Sequence, residues 1–168
     1  ATPRAVRCVP VPDEFLDPRD PPFAGSPPPP APARPDGPAW TPTAEERAIL
    51  LDPRRLSLLH EAQLLDVAPP DEFERLTRLL ARSLGVPVAY LSVVDSHRQF
   101  FLSATGLPEP AATARESGLD GSFCKHVLLD GAPLVIPDAA AEPRVAGNTG
   151  IEALGIGAYI GIPVGTAD

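Results

Sequence analysis

The chain has 168 residues and a formal net charge of −8, a size that fits one domain with an appendage. The acidic balance argues against a nucleic-acid partner, because nucleic-acid binding depends on lysine and arginine. It also argues against binding to anionic membrane surfaces. No apolar run approaches the roughly 20 residues of a membrane-spanning helix, no secretory signal is recognisable, and two cysteines are too few for a disulfide framework. We therefore expect a cytoplasmic protein.

Proline is concentrated at the start of the chain, where fourteen of the 24 prolines lie in residues 1–45. Proline removes backbone donors and fixes φ, so this density prevents helices and sheets from propagating. We predict that residues 1–45 form a disordered, semi-rigid linker, with docking onto a proline-binding domain as the alternative. Residues 46–168 are then the folded domain.

Two helix starts follow the proline-rich segment. Thr43 and Glu46 have the spacing of a capping box, and Asp52 followed by Pro53 is typical of a second helix start. Apolar residues after Asp52 cover a wide arc of the helix, which predicts contacts with two surfaces. These residues are Leu56, Leu58, Leu59, Ala62 and Leu65.

The clearest helical pattern begins at Asp71, where Asp71 and Glu74 have D-x-x-E capping spacing, and it stops at Gly85 and Pro87. Charged residues occupy one side of this helix, and the other side is apolar. The apolar residues are Phe73, Leu76, Leu79, Leu80 and Leu84. We predict an amphipathic helix whose leucine side lies on a sheet.

Strand patterns come next. Residues 88–94 are apolar on both faces, as in a central strand, and residues 98–102 predict the return strand of a hairpin. The stretch 103–121 is rich in proline, glycine, alanine and threonine, and it predicts a long loop.

A short helix and two further strands are predicted in the last third of the chain. Ser122 is placed to cap a helix from Phe123 to Leu129. Residues 134–136 and 158–164 are apolar runs bounded by glycine or proline, which is typical of strands.

Several of these segments together resemble the GAF domain, a small-molecule-sensing module of bacterial signalling proteins. They are Asp71–Pro87, the S-F-C-x-H segment at 122–126, the P-L-V-I-P-D-A segment at 133–139 and the A-Y-x-G-I-P segment at 158–163. The variety resembled stands in front of histidine kinases, diguanylate cyclases and regulatory serine phosphatases. The resemblance implies an α+β, GAF/PAS-like fold in which an antiparallel sheet has helices on both faces.

The resemblance also implies that the last strand and the closing helix of the family are missing after Asp168. In the family pattern that strand lies beside the strand at 88–94, so its absence leaves unpaired backbone edges. We expect the 168-residue chain alone to be unstable, to aggregate or to recruit a strand from a neighbour. The resemblance further implies a homodimer through the N-terminal helices and a downstream output domain.

Cys124 and His126 are the residues that suggest a chemical role. Two residues apart on a helix they point in different directions, so one metal ion would not easily bind both, and we predict neither a metal site nor a catalytic residue. Cys124 is then either a small core residue or a redox-sensing thiol. The family signatures for cyclic nucleotides, methionine sulfoxide and bilins are not matched, so the ligand and any cofactor remain unknown.

The resemblance implies a ligand pocket between the sheet and the short helices. The candidate lining residues are Phe101, Phe123, Cys124, His126 and Tyr159, with Asp138 at the rim; core packing is the alternative for the aromatic residues. The expected function is that of a non-catalytic regulatory domain in a bacterial signal-transduction protein, such as a two-component system. It would bind a small molecule or mediate dimerisation to control the output domain. The alternatives are a purely structural dimerisation scaffold and a thiol-based redox sensor through Cys124.

Overall fold

The computed structural model describes residues 40–165 of the chain. The linker predicted at residues 1–45 lies outside this range up to residue 39, and residues 44 and 45 already belong to the first helix. The helices are α1 (Ala44–Leu50), α2 (Pro53–Glu61), α3 (Asp71–Leu84), α4 (Ala111–Ala114), α5 (Cys124–Asp130) and α6 (Gly150–Ala153). The strands are β1 (Ala89–Val94), β2 (Arg98–Thr105), β3 (Glu116–Gly118), β4 (Leu134–Ile136) and β5 (Tyr159–Gly161), and a 3-10 turn spans Pro143–Val145.

The first two helix starts are as predicted. Thr43 Oγ1 accepts a hydrogen bond from the Glu46 backbone N–H at 3.2 Å, and Glu46 Oε2 accepts one from the Thr43 N–H at 2.7 Å, which completes the capping box. Asp52 Oδ1 accepts a hydrogen bond from the Arg54 N–H at 3.0 Å and so caps α2. Local sequence alone was sufficient here because both partners of each cap lie within one turn.

The predicted cap of α3 is wrong. Asp71 is the first residue of the helix, the cap position is Pro70, and no side chain caps the helix. The proline holds the backbone extended, with ψ 140°, immediately before Asp71, and its carbonyl oxygen accepts the hydrogen bonds from Phe73 and Glu74. The acidic residues of the first turn favour the helix through its dipole, and Glu74 also accepts a hydrogen bond from Arg78 at 3.3 Å.

The predicted hairpin is confirmed, since β1 and β2 pair antiparallel. The register shifts between the pairs Leu91↔Ser103 and Ser92↔Phe101, so one extra residue, Leu102, lies in β2 as a β-bulge. Residues 103–121, predicted as a loop, contain the end of β2, α4 and β3, which pairs antiparallel with the start of β2. These elements are too short to leave a periodic pattern in the sequence.

Helices lie on both faces of the three-stranded sheet. Thr77 of α3 shares a hydrogen bond with Ser103, which pairs with Leu91, whereas Ser92 donates to Cys124 of α5. Because neighbouring residues of a strand point to opposite faces, α3 and α5 cover opposite sides. The α+β fold with an antiparallel sheet between helices is therefore confirmed.

The prediction for the buried side of α3 is wrong. The buried residues of this helix are Thr77 and Ala81, whereas Leu79 is 61% exposed and the three other leucines of the predicted side are also exposed. The helix approaches the sheet through small residues because Thr77 Oγ1 lies 3.0 Å from Ser103 Oγ and 3.4 Å from Thr105 Oγ1. Leucines at this contact would hold the two surfaces apart.

A separate apolar core lies beneath α5. The strands β4 and β5 form a two-stranded antiparallel sheet with Val135 opposite Ile160. Leu134 and Ile136 are buried whereas Val135 is 58% exposed, so the alternation of strand side chains separates a core face from an outer face. The buried members of this core are Phe123, Val127, Leu134, Ile136, Ala139 and Val145.

Candidate functional site

The thiol of Cys124 lies where the three-stranded sheet, α5 and β5 meet. Ser92 Oγ donates a hydrogen bond to Cys124 Sγ at 3.2 Å, and Gln99 Nε2 donates a longer one at 3.5 Å. The Tyr159 hydroxyl lies 3.2 Å from the sulfur, and the thiol donates to the Tyr90 hydroxyl at 3.9 Å. We call these five residues the thiol cluster.

The thiol cluster is partly open to solvent. Gln99 is buried, but the other four residues are half-buried. As whole residues, these four are less completely enclosed than the apolar residues of the core beneath α5.

Aromatic rings enclose the polar groups of the cluster. The Tyr90 and Phe101 rings pack edge to face at 5.2 Å between centroids, and the Phe123 and Tyr159 rings pack at 5.1 Å. Phe101 and Phe123 are both 1% exposed. The result is an apolar wall with a few convergent polar groups, which is the usual composition of a small-molecule site.

Both tyrosines of the cluster are neutral donors at neutral pH. Burial raises the pKa of Tyr90 and of Tyr159, and the charge of a Cys124 thiolate beside them raises each pKa further. The hydroxyl and amide groups of the cluster thus carry no charge. Such a site is suited to an uncharged ligand rather than to an anion.

The amino-acid sequence matches a known protein family. The sequence profile of the GAF domain matches residues 69–168, which is more than half of the chain. The chain belongs to the GAF domain family. Domains of this family are typically regulatory or sensory and are generally not catalytic.

A relative with a known activity also matches the chain. The chain is 26% identical over 115 residues to the cyclic di-GMP phosphodiesterase PA2567 of Pseudomonas aeruginosa. This alignment covers 68% of the chain but 19% of that enzyme, so the chain spans about a fifth of the length of its relative.

The GAF fold brings four of the six sequence-predicted site residues together. Cys124 and Tyr159 belong to the thiol cluster, and Phe101 and Phe123 form part of its aromatic wall. The ligand pocket itself stays a prediction.

The other two predicted residues lie elsewhere. His126 is a half-buried residue one position beyond Lys125 on α5, and its pKa is lowered by burial and then by the charge of Lys125. Asp138 is an exposed turn residue after β4, whose Oδ1 accepts a hydrogen bond from the Ala140 N–H at 2.9 Å.

Sequence reasoning missed the three sheet residues of the cluster. Tyr90 and Ser92 are two positions apart on β1 and share the face that α5 covers, and Gln99 lies on the neighbouring strand. The polar groups at alternate positions 90 and 92 indicate a polar face of β1. The apolar residues around them make the run at residues 88–94 look apolar on both faces.

Two negative findings apply to residues 40–165. No three or more His, Cys, Asp and Glu side chains in this range are grouped so that they could hold a metal ion. None of its helices combines the length and apolarity needed to cross a bilayer.

Proposed function

We propose that this chain is the regulatory sensor domain of a bacterial signalling protein and that a small molecule bound at the thiol cluster controls an output domain. The observation that carries the proposal is the convergence of four hydroxyl and amide groups from β1, β2 and β5 on the Cys124 sulfur of α5. A ligand there would touch both sheets and the helix between them, so it would favour one arrangement of these elements over another.

The chemistry of the cluster favours an uncharged ligand with hydrogen-bond acceptors. Hydroxyl and amide donors bind such groups without a counter-charge, and the aromatic wall suits a planar, apolar body. The relative named above acts on cyclic di-GMP, but an anion of that kind is usually held by arginine or lysine. The thiol cluster contains neither, so we expect cyclic di-GMP to bind there weakly or not at all.

The test is a thermal-shift screen of the full chain against nucleobases, nucleosides and similar uncharged metabolites, with cyclic di-GMP as a separate arm. A ligand present at 100 times its dissociation constant stabilises by about 2.7 kcal/mol, which is easily seen as a rise in melting temperature. Ser92→Ala is expected to reduce that rise, whereas the matched control Ser96→Ala, in the turn after β1, keeps it. A screen without any binder, or a binder to which both variants respond alike, would contradict the proposal.

Dimerisation is a second candidate, favoured by exposed leucines on the N-terminal helices. Leu58 of α2 and Leu79 of α3 are each 61% exposed, and exposed apolar groups of this size are common at protein interfaces. We propose a homodimer through these helices, which would also allow a purely structural role. Light scattering of Leu58→Asp is expected to give a smaller particle than the unaltered chain; equal particle sizes would rule this interface out.

Redox sensing through Cys124 remains a third proposal. The half-buried sulfur accepts hydrogen bonds from Ser92 and Gln99, and oxidation of the sulfur would disturb these contacts. Peroxide should then change the melting temperature of the full chain but not that of Cys124→Ser, and equal responses would exclude this role.

A further inference from the structure

Helix α5 carries a second buried contact, made by the residue next to Cys124. Lys125 follows Cys124 directly, and its side chain is 1% exposed. Its Nζ donates hydrogen bonds to the carbonyl oxygens of Leu119 at 2.8 Å and Asp120 at 3.2 Å, and it lies 4.3 Å from the centroid of the Trp40 ring. The ammonium group is therefore enclosed by two carbonyls on one side and an indole face on the other.

This contact is unusual for a lysine. Lysine is almost never fully buried unless it is paired with an opposite charge. The titratable groups around it are the carboxylates of Asp120 and Glu46 and the ring of His126. Burial lowers the pKa of Lys125 to about 8, because it outweighs the attraction of the two carboxylates. The face of Trp40 is a cation–π partner that replaces part of the lost hydration.

Trp40 connects this contact to the N-terminal part of the chain. It is the one tryptophan of the 168 residues, it stands just before α1, and α1 also packs against α5. Trp40, the first residue that the structure describes, thus lies against α5.

We propose that Trp40 and Lys125 form a latch through which α5 transmits the state of the thiol cluster to the N-terminal segment at residues 1–39. This proposal rests on the proposed function in that the thiol cluster is taken as the place where a ligand acts. Cys124 and Lys125 are neighbours on the same seven-residue helix, so an occupant that displaces Cys124 would also displace Lys125. Because a cation–π contact requires the charge to lie over the ring, that displacement weakens the hold on Trp40.

The test uses a small thiol label in place of the unidentified ligand. In the full chain with Cys8→Ser, methyl methanethiosulfonate leaves a methylthio group on the sulfur of Cys124 and releases methanesulfinate. Mass spectrometry measures the extent of labelling. With excitation beyond the absorption band of tyrosine, the fluorescence comes from Trp40, the one tryptophan of the chain. The expected result is a loss of protection of Trp40 from acrylamide and a red shift of its emission, both reversed by dithiothreitol.

Two variants serve as controls. Lys125→Met removes the charge and leaves the two carbonyls without their donor, so Trp40 is expected to be unprotected before labelling and not to respond to it. Lys125→Arg keeps the cation over the ring and keeps the response. If Trp40 is as protected in Lys125→Met as in the unaltered chain, there is no latch.

The coupling can fail independently of the proposed function. Complete labelling of Cys124 with unchanged quenching of Trp40 would overturn the coupling and leave the ligand site untouched, whereas a failed ligand screen does not affect the labelling result. If circular dichroism shows that the label unfolds the domain, the comparison of Lys125→Met with Lys125→Arg decides whether the latch exists. Tyr159→Phe, which removes one contact of Cys124, then replaces the label as the perturbation. Unchanged quenching in Tyr159→Phe would then overturn the coupling.

Discussion

The two sides of the domain are held together by different forces. Beneath α5, a continuous set of apolar side chains is buried between the helix and the β4–β5 sheet. Beneath α3, the buried contact is small and polar, with Thr77 hydrogen-bonded to Ser103 and Ala81 beside it. Apolar burial is non-directional, whereas a buried hydroxyl pair is stable only while both partners are present. The comparison indicates that apolar packing holds α5 in place, whereas a hydroxyl pair contributes specific alignment of α3.

Arginine side chains add to the alignment on the α3 side. Arg115 Nη1 donates to the carbonyl oxygen of Val67 at 2.6 Å, and Nη2 donates to those of Phe101 and Leu102 at 3.1 and 2.9 Å. The last two carbonyls belong to the bulge in β2, so Arg115 satisfies the backbone where the ladder is interrupted. Because the bulge decides which residues of β2 face α3 and which face Cys124, Arg115 helps to keep the two sides in register.

The largest effect is expected in the apolar core. Ile136→Ala removes most of a side chain that is 1% exposed, and such a substitution lowers the free energy of unfolding by about 2–5 kcal/mol. Val135→Ala, one residue away on the exposed side of β4, is the matched control and is expected to change it by about 0.5 kcal/mol or less. Urea denaturation measures both. Equal losses of unfolding free energy at the two positions would mean that β4 does not have one buried and one exposed face.

A smaller effect with a different signature is expected beneath α3. Thr77→Val keeps the shape but leaves the Ser103 hydroxyl without its 3.0 Å partner, which lowers the free energy of unfolding by about 1–3 kcal/mol. The double variant Thr77→Val with Ser103→Ala removes both polar groups and is expected to recover part of that loss. A double-mutant cycle by urea denaturation measures the coupling. Additive losses would show that the pair does not align α3.

The elements that the sequence predicted correctly are those whose determinants are local. The capping box at Thr43 and the hairpin of β1 and β2 each depend on residues close together in the chain. The thiol cluster does not, since Tyr90 and Ser92 lie more than thirty positions before Cys124. Only the family resemblance predicted that Cys124 and Tyr159 lie close together, because no pattern within a short stretch of sequence encodes a contact between separate elements.

The leucines of α3 show that helical periodicity does not by itself predict which side of a helix is buried. A row of leucines predicts which side of a helix is apolar, but which side is buried also depends on how closely the partner surface can approach. Here Ser103 and Thr105 of β2 meet Thr77, and the sequence of α3 alone does not contain that information.

The pH dependence of stability separates Lys125 from the two tyrosines. In the folded domain burial lowers the pKa of Lys125 from 10.5 to about 8, against the attraction of Asp120 and Glu46. The unfolded chain therefore binds more protons between pH 8 and 10.5, and the free energy of unfolding rises over that window by at most about 1.4 kcal/mol per pH unit.

The tyrosines act in the opposite direction at higher pH. Burial raises the pKa of Tyr90 and Tyr159 above 10.0 in the folded domain, so above pH 10 the unfolded chain loses protons first and stability falls. Urea denaturation between pH 7 and 11 is expected to show a maximum near pH 10, and Lys125→Met is expected to remove the rising part only. A rise that persists in this variant would assign it to another group.

The smallest effect is expected on the outer side of α3. Leu79 is 61% exposed, so Leu79→Gln is expected to change the free energy of unfolding by about 0.5 kcal/mol or less, despite the place of Leu79 in the most regular apolar pattern of the sequence. Ala81→Leu, two positions away on the buried side, adds volume where α3 approaches the sheet and is expected to lower it by about 1–3 kcal/mol. Urea denaturation at a protein concentration below that of any dimer measures the effect within one chain. A large loss of unfolding free energy for Leu79→Gln under these conditions would mean that the leucine side of α3 covers the sheet. At higher protein concentration the same variant reports on the dimer.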